Sequence, residues 1–190
     1  KRESLLYFLF PIFTVLSFFL IVLNNKLIGS FNLLFQMVPP FNTGNLDYSL
    51  NHYYIDQPLL FWPWMDSLKS SLVSSGYVGY SNLIGFGIEF PYHSNFAPLS
   101  VFVNFYRFFS TEFVLTIVFL AQVLICYYGC ILVSKHFSTD TVVGVFLSIA
   151  FTLNTFFISW INHLFISGPF CFLPLMYFIY LKGLKESRYV

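Results

Sequence analysis

Hydrophobic positions gather along this chain into four long runs, Leu5–Leu23, Phe113–Ser134, Thr141–Trp160 and Leu164–Leu181. A helix needs roughly 20 apolar residues to cross a hydrocarbon core of about 30 Å, where no water satisfies its backbone N–H and C=O groups. Each run is close to that length, so the pattern predicts four transmembrane helices. The first run follows Lys1, Arg2 and Glu3, is too long for the apolar core of a secretory signal, and has no small-residue cleavage site behind it. It reads as a retained anchor.

The cations orient these spans, because Lys and Arg near span ends mark the cytoplasmic side. Lys1 and Arg2 precede the first span, Lys135 follows the second, and Lys182, Lys185 and Arg188 follow the fourth. With four crossings all of these ends fall on one side. Both termini are therefore expected in the cytoplasm, with residues 24–112 and the short turn 161–163 on the extracytoplasmic side. The long loop does carry Lys26, Lys69 and Arg107, but long loops are translocated largely regardless of charge.

Within the loop, Gln57 to Ser75 places Leu60, Trp64, Leu68 and Leu72 on one stripe, with Asp66, Ser67, Lys69, Ser70, Ser71 and Ser74 elsewhere. That is the pattern of a helix lying in the membrane interface. Pro58 suits its first turn, Pro63 predicts a kink, and Gly76 stands at the C-cap position. A second apolar piece, Ala97 to Phe109, is too short to span and is expected to dip in or lie flat, with Arg107 snorkelling to headgroups. Gly76, Gly79, Gly85, Gly87 and Pro91 make the chain between them turn-rich.

Composition then removes whole classes of function. Of the 190 residues, 57% are hydrophobic and 9% charged, against about 45–50% and about 25% in soluble domains. A water-soluble fold is excluded, and a net charge of +1 offers no basic field for nucleic acid. The 27 Phe and 13 Tyr suit lipid-facing surfaces, interfacial belts and sugar stacking alike, so they do not choose between these uses. Cys126, Cys130 and Cys171 all lie in apolar runs, where an odd number is no disulfide framework. Cys126 and Cys130 share a helix face, but no His or carboxylate joins them, so they read as small buried hydrophobes. The expected architecture is an all-α integral membrane fold of about four transmembrane helices. An extracytoplasmic loop of interfacial and re-entrant helices joins the first two. Residues 1–190 form one membrane domain, expected to be the N-terminal part of a longer protein.

Ionisable residues at membrane level are costly and mark function by default. Outside the cytoplasmic ends, nearly all lie in the loop: Asp47, His52, Asp56, Asp66, Glu89, His93 and Glu112, besides the three cations. Asp56 stands just before the predicted interfacial helix, where the helix dipole favours its charged form. Standing before Gln57 and Pro58 it reads first as a helix N-cap and second as a general base, and the two roles are compatible. Gly85, Phe86 and Gly87 are not followed by the Lys-Ser/Thr pair of a phosphate loop, so they read as a tight turn bringing Glu89 and His93 toward the membrane surface. Asp66 and Lys69 form an i, i+3 pair on the wet helix face. Asn162 and His163 occupy the turn between the third and fourth spans, on the same side as the loop. A lone His in such a turn is more often a hydrogen-bonded structural residue than a ligand.

Asp56-Gln57-Pro58, Phe61-Trp62-Pro63-Trp64, Tyr80-Ser81-Asn82, Gly85-Phe86-Gly87, Asn95 and Pro98 follow one another in an order that resembles the YfhO-like bacterial membrane proteins. That family has an acidic residue ahead of a first-loop helix, an aromatic-Ser step leading to Gly-x-Gly, and a Pro-led apolar re-entry. The resemblance lies in the loop; the later spans match in hydropathy and order alone. The family is similar to the GT-C glycosyltransferases, multi-span enzymes that use polyprenyl-phosphate sugars on the extracytoplasmic face.

What the resemblance implies is a partial GT-C-like core in the bacterial cytoplasmic membrane, moving a sugar from a polyprenyl-phosphate donor to a cell-envelope acceptor. Asp56 matches the family's essential acidic residue, with Asp47 as the other candidate. It would act as general base or hold a divalent metal ion, with Glu89 and His93 as further catalytic candidates. Lys69 and Arg107 would neutralise the donor phosphate, with Asn162 and His163 as further substrate contacts. Many GT-C enzymes carry a second acidic residue in the second extracytoplasmic turn, where this chain has Asn162 and His163, so a carboxylate pair would need Glu89 or Asp47. The implied partners are the lipid bilayer, the lipid-linked sugar and other membrane proteins. The alternative is a non-catalytic polytopic subunit or a lipid-carrier transporter, with the loop as a docking surface.

Overall fold

The computed structural model describes residues 2–23, 62–75, 80–81, 88–89, 105–160 and 164–187. Over these ranges the chain is helical apart from one short ladder. Its elements are α1 (Arg2–Leu23), α2 (Trp62–Ser75), β1 (Tyr80–Ser81), β2 (Ile88–Glu89), α3 (Thr111–His136), α4 (Thr141–Thr152), α5 (Thr155–Trp160) and α6 (Leu164–Ser187). The chain forms two compact units, Lys1–Lys26 with Thr116–Val190, and Leu27–Leu115.

Three stretches are long and apolar enough to cross a membrane: Phe113–His136, Thr141–Trp160 and Ile166–Lys185. They coincide with three of the four predicted spans. The fourth, α1, is one helix of 22 residues, within which Leu5–Leu20 is described as an apolar helix. Burial in the first unit runs opposite to that of a soluble protein. Thr14, Gln122, Ser148, Thr152 and Ser167 are buried, while Phe13, Leu20, Phe146, Leu173 and Met176 are exposed. Helices that turn Phe and Leu outward and Ser and Thr inward are solvated by hydrocarbon.

Of the three spans, the first is 56% buried and the others 22% and 17%, so α3 is the centre on which the others pack. Small residues set the approach. A Cβ on Gly129 would stand 2.8 Å from the Leu175 backbone nitrogen and 3.1 Å from Pro174 Cβ, so only glycine lets α6 come this near α3. A Cβ on Gly144 of α4 would meet the Ser134 Cβ of α3 at 3.2 Å. Between α3 and α4 the chain turns tightly. Thr139 N–H reaches Ser134 O at 3.0 Å and Ser138 N–H reaches Lys135 O at 3.1 Å, with Ser138 at φ 54. This is a Schellman cap in which serine takes the usual glycine position. Asp140 then caps α4, its Oδ1 accepting from Val142 N–H at 2.9 Å and Val143 N–H at 3.2 Å.

Proline shapes α1. Pro11 lacks the N–H that would bond the Tyr7 carbonyl, and the Tyr127 hydroxyl of α3 donates to that carbonyl instead, at 3.3 Å. The Phe10 and Tyr127 rings lie 4.8 Å apart beside this bond. The freed backbone group has become an interhelical tie.

The sequence predicts one helix over Thr141–Trp160; the structure divides it at Leu153–Asn154 into α4 and α5. The cause is local. Thr152, Asn154 and Thr155 all have side chains that compete for backbone hydrogen bonds. Asn154 repairs the break from both sides: its Oδ1 caps α5 by accepting from Phe157 N–H at 2.9 Å, and its Nδ2 donates to Phe151 O. Phe170 of α6 then binds the two halves together, its ring centroid lying 5.4 Å from Phe151 before the break and 5.4 Å from Phe157 after it.

In the second unit, α2 confirms a helix along the predicted stripe. Leu68 and Leu72 are buried with Met65, while Asp66, Ser70 and Ser74 are exposed. Ser67, expected on the wet face, is buried too, as the position beside Leu68 on the helix allows. Pro63 lies within α2, which continues unbroken to Ser75. Residues 57–61 lie outside the described residues. Beyond α2 a two-residue antiparallel ladder pairs Tyr80 with Glu89 and Ser81 with Ile88. The Gly85-Phe86-Gly87 segment, where a tight turn is expected, lies outside the described residues.

Two substitutions test this packing. Gly129→Ala forces a Cβ against backbone that cannot swing aside and should lower stability by about 1–3 kcal/mol, as overpacking does. Gly183→Ala on α6 meets open space and should be neutral or raise stability by up to about 1 kcal/mol; thermal melting in detergent compares the two. Asn154→Ala removes both side-chain bonds at the break and should cost about 1–2 kcal/mol, the range of a lost cap. An unchanged melting temperature would show that the break does not depend on Asn154.

Candidate functional site

Of the residues proposed for chemistry, Asp56, His93, Asn162 and His163, together with Asp47, lie outside the described residues. Glu89 sits in β2, its backbone opposite Tyr80. Lys69 lies half-buried on α2, one turn after Asp66, and Arg107 is exposed in the 3-10 turn 105–107 just ahead of α3. The predicted flat-lying piece is described from Phe105 onward. There Phe105, Phe108 and Phe109 are exposed, as an interfacial segment would have them, while Tyr106 turns inward at 2% exposure. Its hydroxyl is buried without a hydrogen-bond partner, and burial pushes the phenol well above its usual range. Tyr106 is therefore a neutral anchor at neutral pH.

The divalent ion that the resemblance attaches to Asp56 finds no ligand set in what is described. Among the described residues, no group of three or more His, Cys, Asp or Glu could hold a metal ion. The three cysteines are free thiols, with Cys126 and Cys171 buried and Cys130 half-buried. Thr152 Oγ1 of α4 and Gln122 Oε1 of α3 are buried without hydrogen-bond partners.

The first unit has two ends of different character. At one, Lys135 places its Nζ 4.1 Å from the Tyr7 ring centroid of α1, a cation–π contact. The Tyr7 hydroxyl donates to Thr141 Oγ1 at the start of α4, at 3.3 Å. His136 packs edge-on against Phe178 of α6, 6.2 Å between centroids. The start of α1, the end of α3, the start of α4 and the last turns of α6 therefore share one end. Arg2, Lys135, Lys182 and Lys185 belong to those segments. These four basic residues, grouped by sequence at span ends, thus lie on segments that share one end; Lys1 and Arg188 lie outside the described residues.

Between α4 and α6, on the face of α3, opens a cavity of about 700 Å³. Its walls are Leu147, Ala150 and Phe151 on one side and Leu173, Pro174 and Tyr177 on the other, over a floor of Cys130, Val133 and Ser134. The hydropathy pattern of the single spans gave no sign of this cavity. It exists because Gly129 and Gly144 draw α6 and α4 onto α3 at different levels, leaving the space between them open.

Against this geometry, comparison with known proteins finds no match, whether by family, by curated sequence or by solved structure.

Proposed function

We propose that this chain is a membrane-embedded glycosyltransferase module of GT-C type, moving a sugar from a polyprenyl-phosphate donor to an extracytoplasmic cell-envelope acceptor. The observation that carries the reading is the order of the loop motifs, from Asp56-Gln57-Pro58 through Tyr80-Ser81-Asn82 to Gly85-Phe86-Gly87, set on a chain whose basic span ends gather together. In this reading α1 is a fourth crossing. Both termini are cytoplasmic, and the loop 24–112 faces out of a bacterial cytoplasmic membrane.

The chemistry then falls to the loop. Asp56 takes the proton of the acceptor hydroxyl as it attacks the sugar's anomeric carbon, and the carrier phosphate leaves. Lys69 or Arg107 meets the charge left on that phosphate. Glu89 and His93 are the further catalytic candidates, and Asn162 and His163 approach the substrate from the second turn. A second reading, a non-catalytic subunit or lipid-carrier transporter, draws on the broken span α4–α5, since interrupted helices recur at transport sites. The lack of carboxylates within the four apolar runs speaks against it.

Topology is tested by labelling with a membrane-impermeant maleimide in a background with the three native cysteines replaced. Ser74→Cys should react from outside and Ser187→Cys should not; the reverse pattern would overturn the orientation. Catalysis is tested at Asp56. Asn caps a helix about as well as Asp but cannot act as a general base. Asp56→Asn should therefore keep expression and melting near wild type while abolishing sugar transfer from a polyprenyl-linked donor, and Asp66→Asn should spare both. Full activity in Asp56→Asn would reduce this residue to a cap and move the search to Asp47, Glu89 and His93.

A further inference from the structure

We infer that the cavity between α4 and α6 holds one acyl chain of an anionic phospholipid, whose headgroup phosphate is met by Lys182 and Lys185 at the basic end of the same unit. This rests on the membrane setting of the unit and is independent of the glycosyltransferase reading.

Three observations carry it. The walls belong to two membrane-spanning segments, so the medium beside the cavity is hydrocarbon. Two of the polar groups at the cavity are already engaged: the Ser148 hydroxyl donates to Gly144 O at 2.7 Å, and the Asn154 amide bonds Phe151 and Phe157. The rest of the lining is mostly Leu, Val, Ala, Phe and Pro, which favours a hydrocarbon chain over a polar ligand. Size agrees: the space of about 700 Å³ is one that a flexible hydrocarbon chain can follow without bringing backbone groups that need partners.

Charge selects the lipid. Tyr177 closes the cavity on the α6 side, and α6 continues from there to the exposed Lys182 and Lys185. Lys185 lies eight residues beyond Tyr177, a rise of about 12 Å, at the level where a chain held in the cavity would present its phosphate. Long lysine side chains reach such a phosphate by snorkelling. Lys135 adds to the positive potential at this end. Basic sites between transmembrane helices on the cytoplasmic side recognise anionic headgroups in this way.

The test is native mass spectrometry of the full chain in mild detergent, offered equal amounts of phosphatidylglycerol and phosphatidylcholine with identical chains. The wild type should retain one lipid and favour phosphatidylglycerol by at least about fivefold, the scale set by one lysine near a phosphate. Ala150→Trp and Leu173→Trp fill the cavity from opposite walls, at positions exposed enough to accept the ring, and each should reduce both lipids to background with an unchanged melting curve. Lys182→Gln with Lys185→Gln should keep one lipid and lose the preference. Equal retention of the two lipids by the wild type overturns the proposal, as does undiminished retention in either folded Trp variant. Retention of a second protein copy that the Trp variants abolish would also overturn it, assigning the cavity to a helix.

Discussion

Everything in the spanning unit follows from one constraint: in hydrocarbon, each backbone N–H and C=O must find a partner inside the protein, because no water is present to supply one. A straight helix of Leu and Val meets it without help. This chain instead places Pro11 in α1 and Pro169 and Pro174 in α6, and a Thr-Leu-Asn-Thr segment in the middle of a span. Each departure must be repaired, and two of the repairs are specific contacts. The Tyr127 hydroxyl answers the carbonyl freed by Pro11, and Asn154 answers both sides of the break. The irregularities thus fix which helix lies against which. An apolar helix facing apolar lipid has little hydrophobic reason to prefer one neighbour, so a freed carbonyl with a single hydroxyl in reach supplies the specificity that hydropathy does not.

Close approach is the second source of order. Gly129 and Gly144 admit α6 and α4 to the surface of α3 to within contact of backbone and small side chains, where dispersion is the main attraction available. The same choice creates the cavity, because two helices held tightly at different levels cannot also touch along their whole length. Packing energy at the glycines and vacancy between them are one geometric fact. Phe170 adds a further tie between α6 and both halves of the broken span by stacking on Phe151 and Phe157.

Much of this was legible in the sequence, for reasons that can be named. Hydrophobic run length is a direct reading of bilayer thickness, and it located Phe113–His136, Thr141–Trp160 and Ile166–Lys185 to within a few residues at each end. The stripe Leu68, Leu72 was readable because a helical period needs only local spacing. The break at Asn154 was missed because run length counts apolarity and ignores that Thr and Asn side chains compete for the backbone. The Tyr7–Tyr127–Lys135 corner and the cavity are contacts between spans, and no periodicity within one span encodes them. The pairing of Tyr80 with Glu89 in a short ladder was likewise not readable from the spacing of single residues.

The distribution of ionisable groups carries a final consequence. None of the four apolar runs contains Asp, Glu, Lys, Arg or His between its ends; the titratable side chains inside them are thiols and phenols. In a medium where a charge is so costly, proton transfer and phosphate recognition must be assigned to the ends of the spans and the segments joining them. At one end Lys135 sits over the Tyr7 ring and His136 packs against Phe178, which suits a structural or lipid-facing role. The carboxylates are different: apart from Asp140, spent on capping α4, and the terminal Glu3 and Glu186, every one lies between Asp47 and Glu112. A reaction that needs a base has nowhere else in this chain to find a carboxylate, whichever of Asp47, Asp56 and Glu89 supplies it.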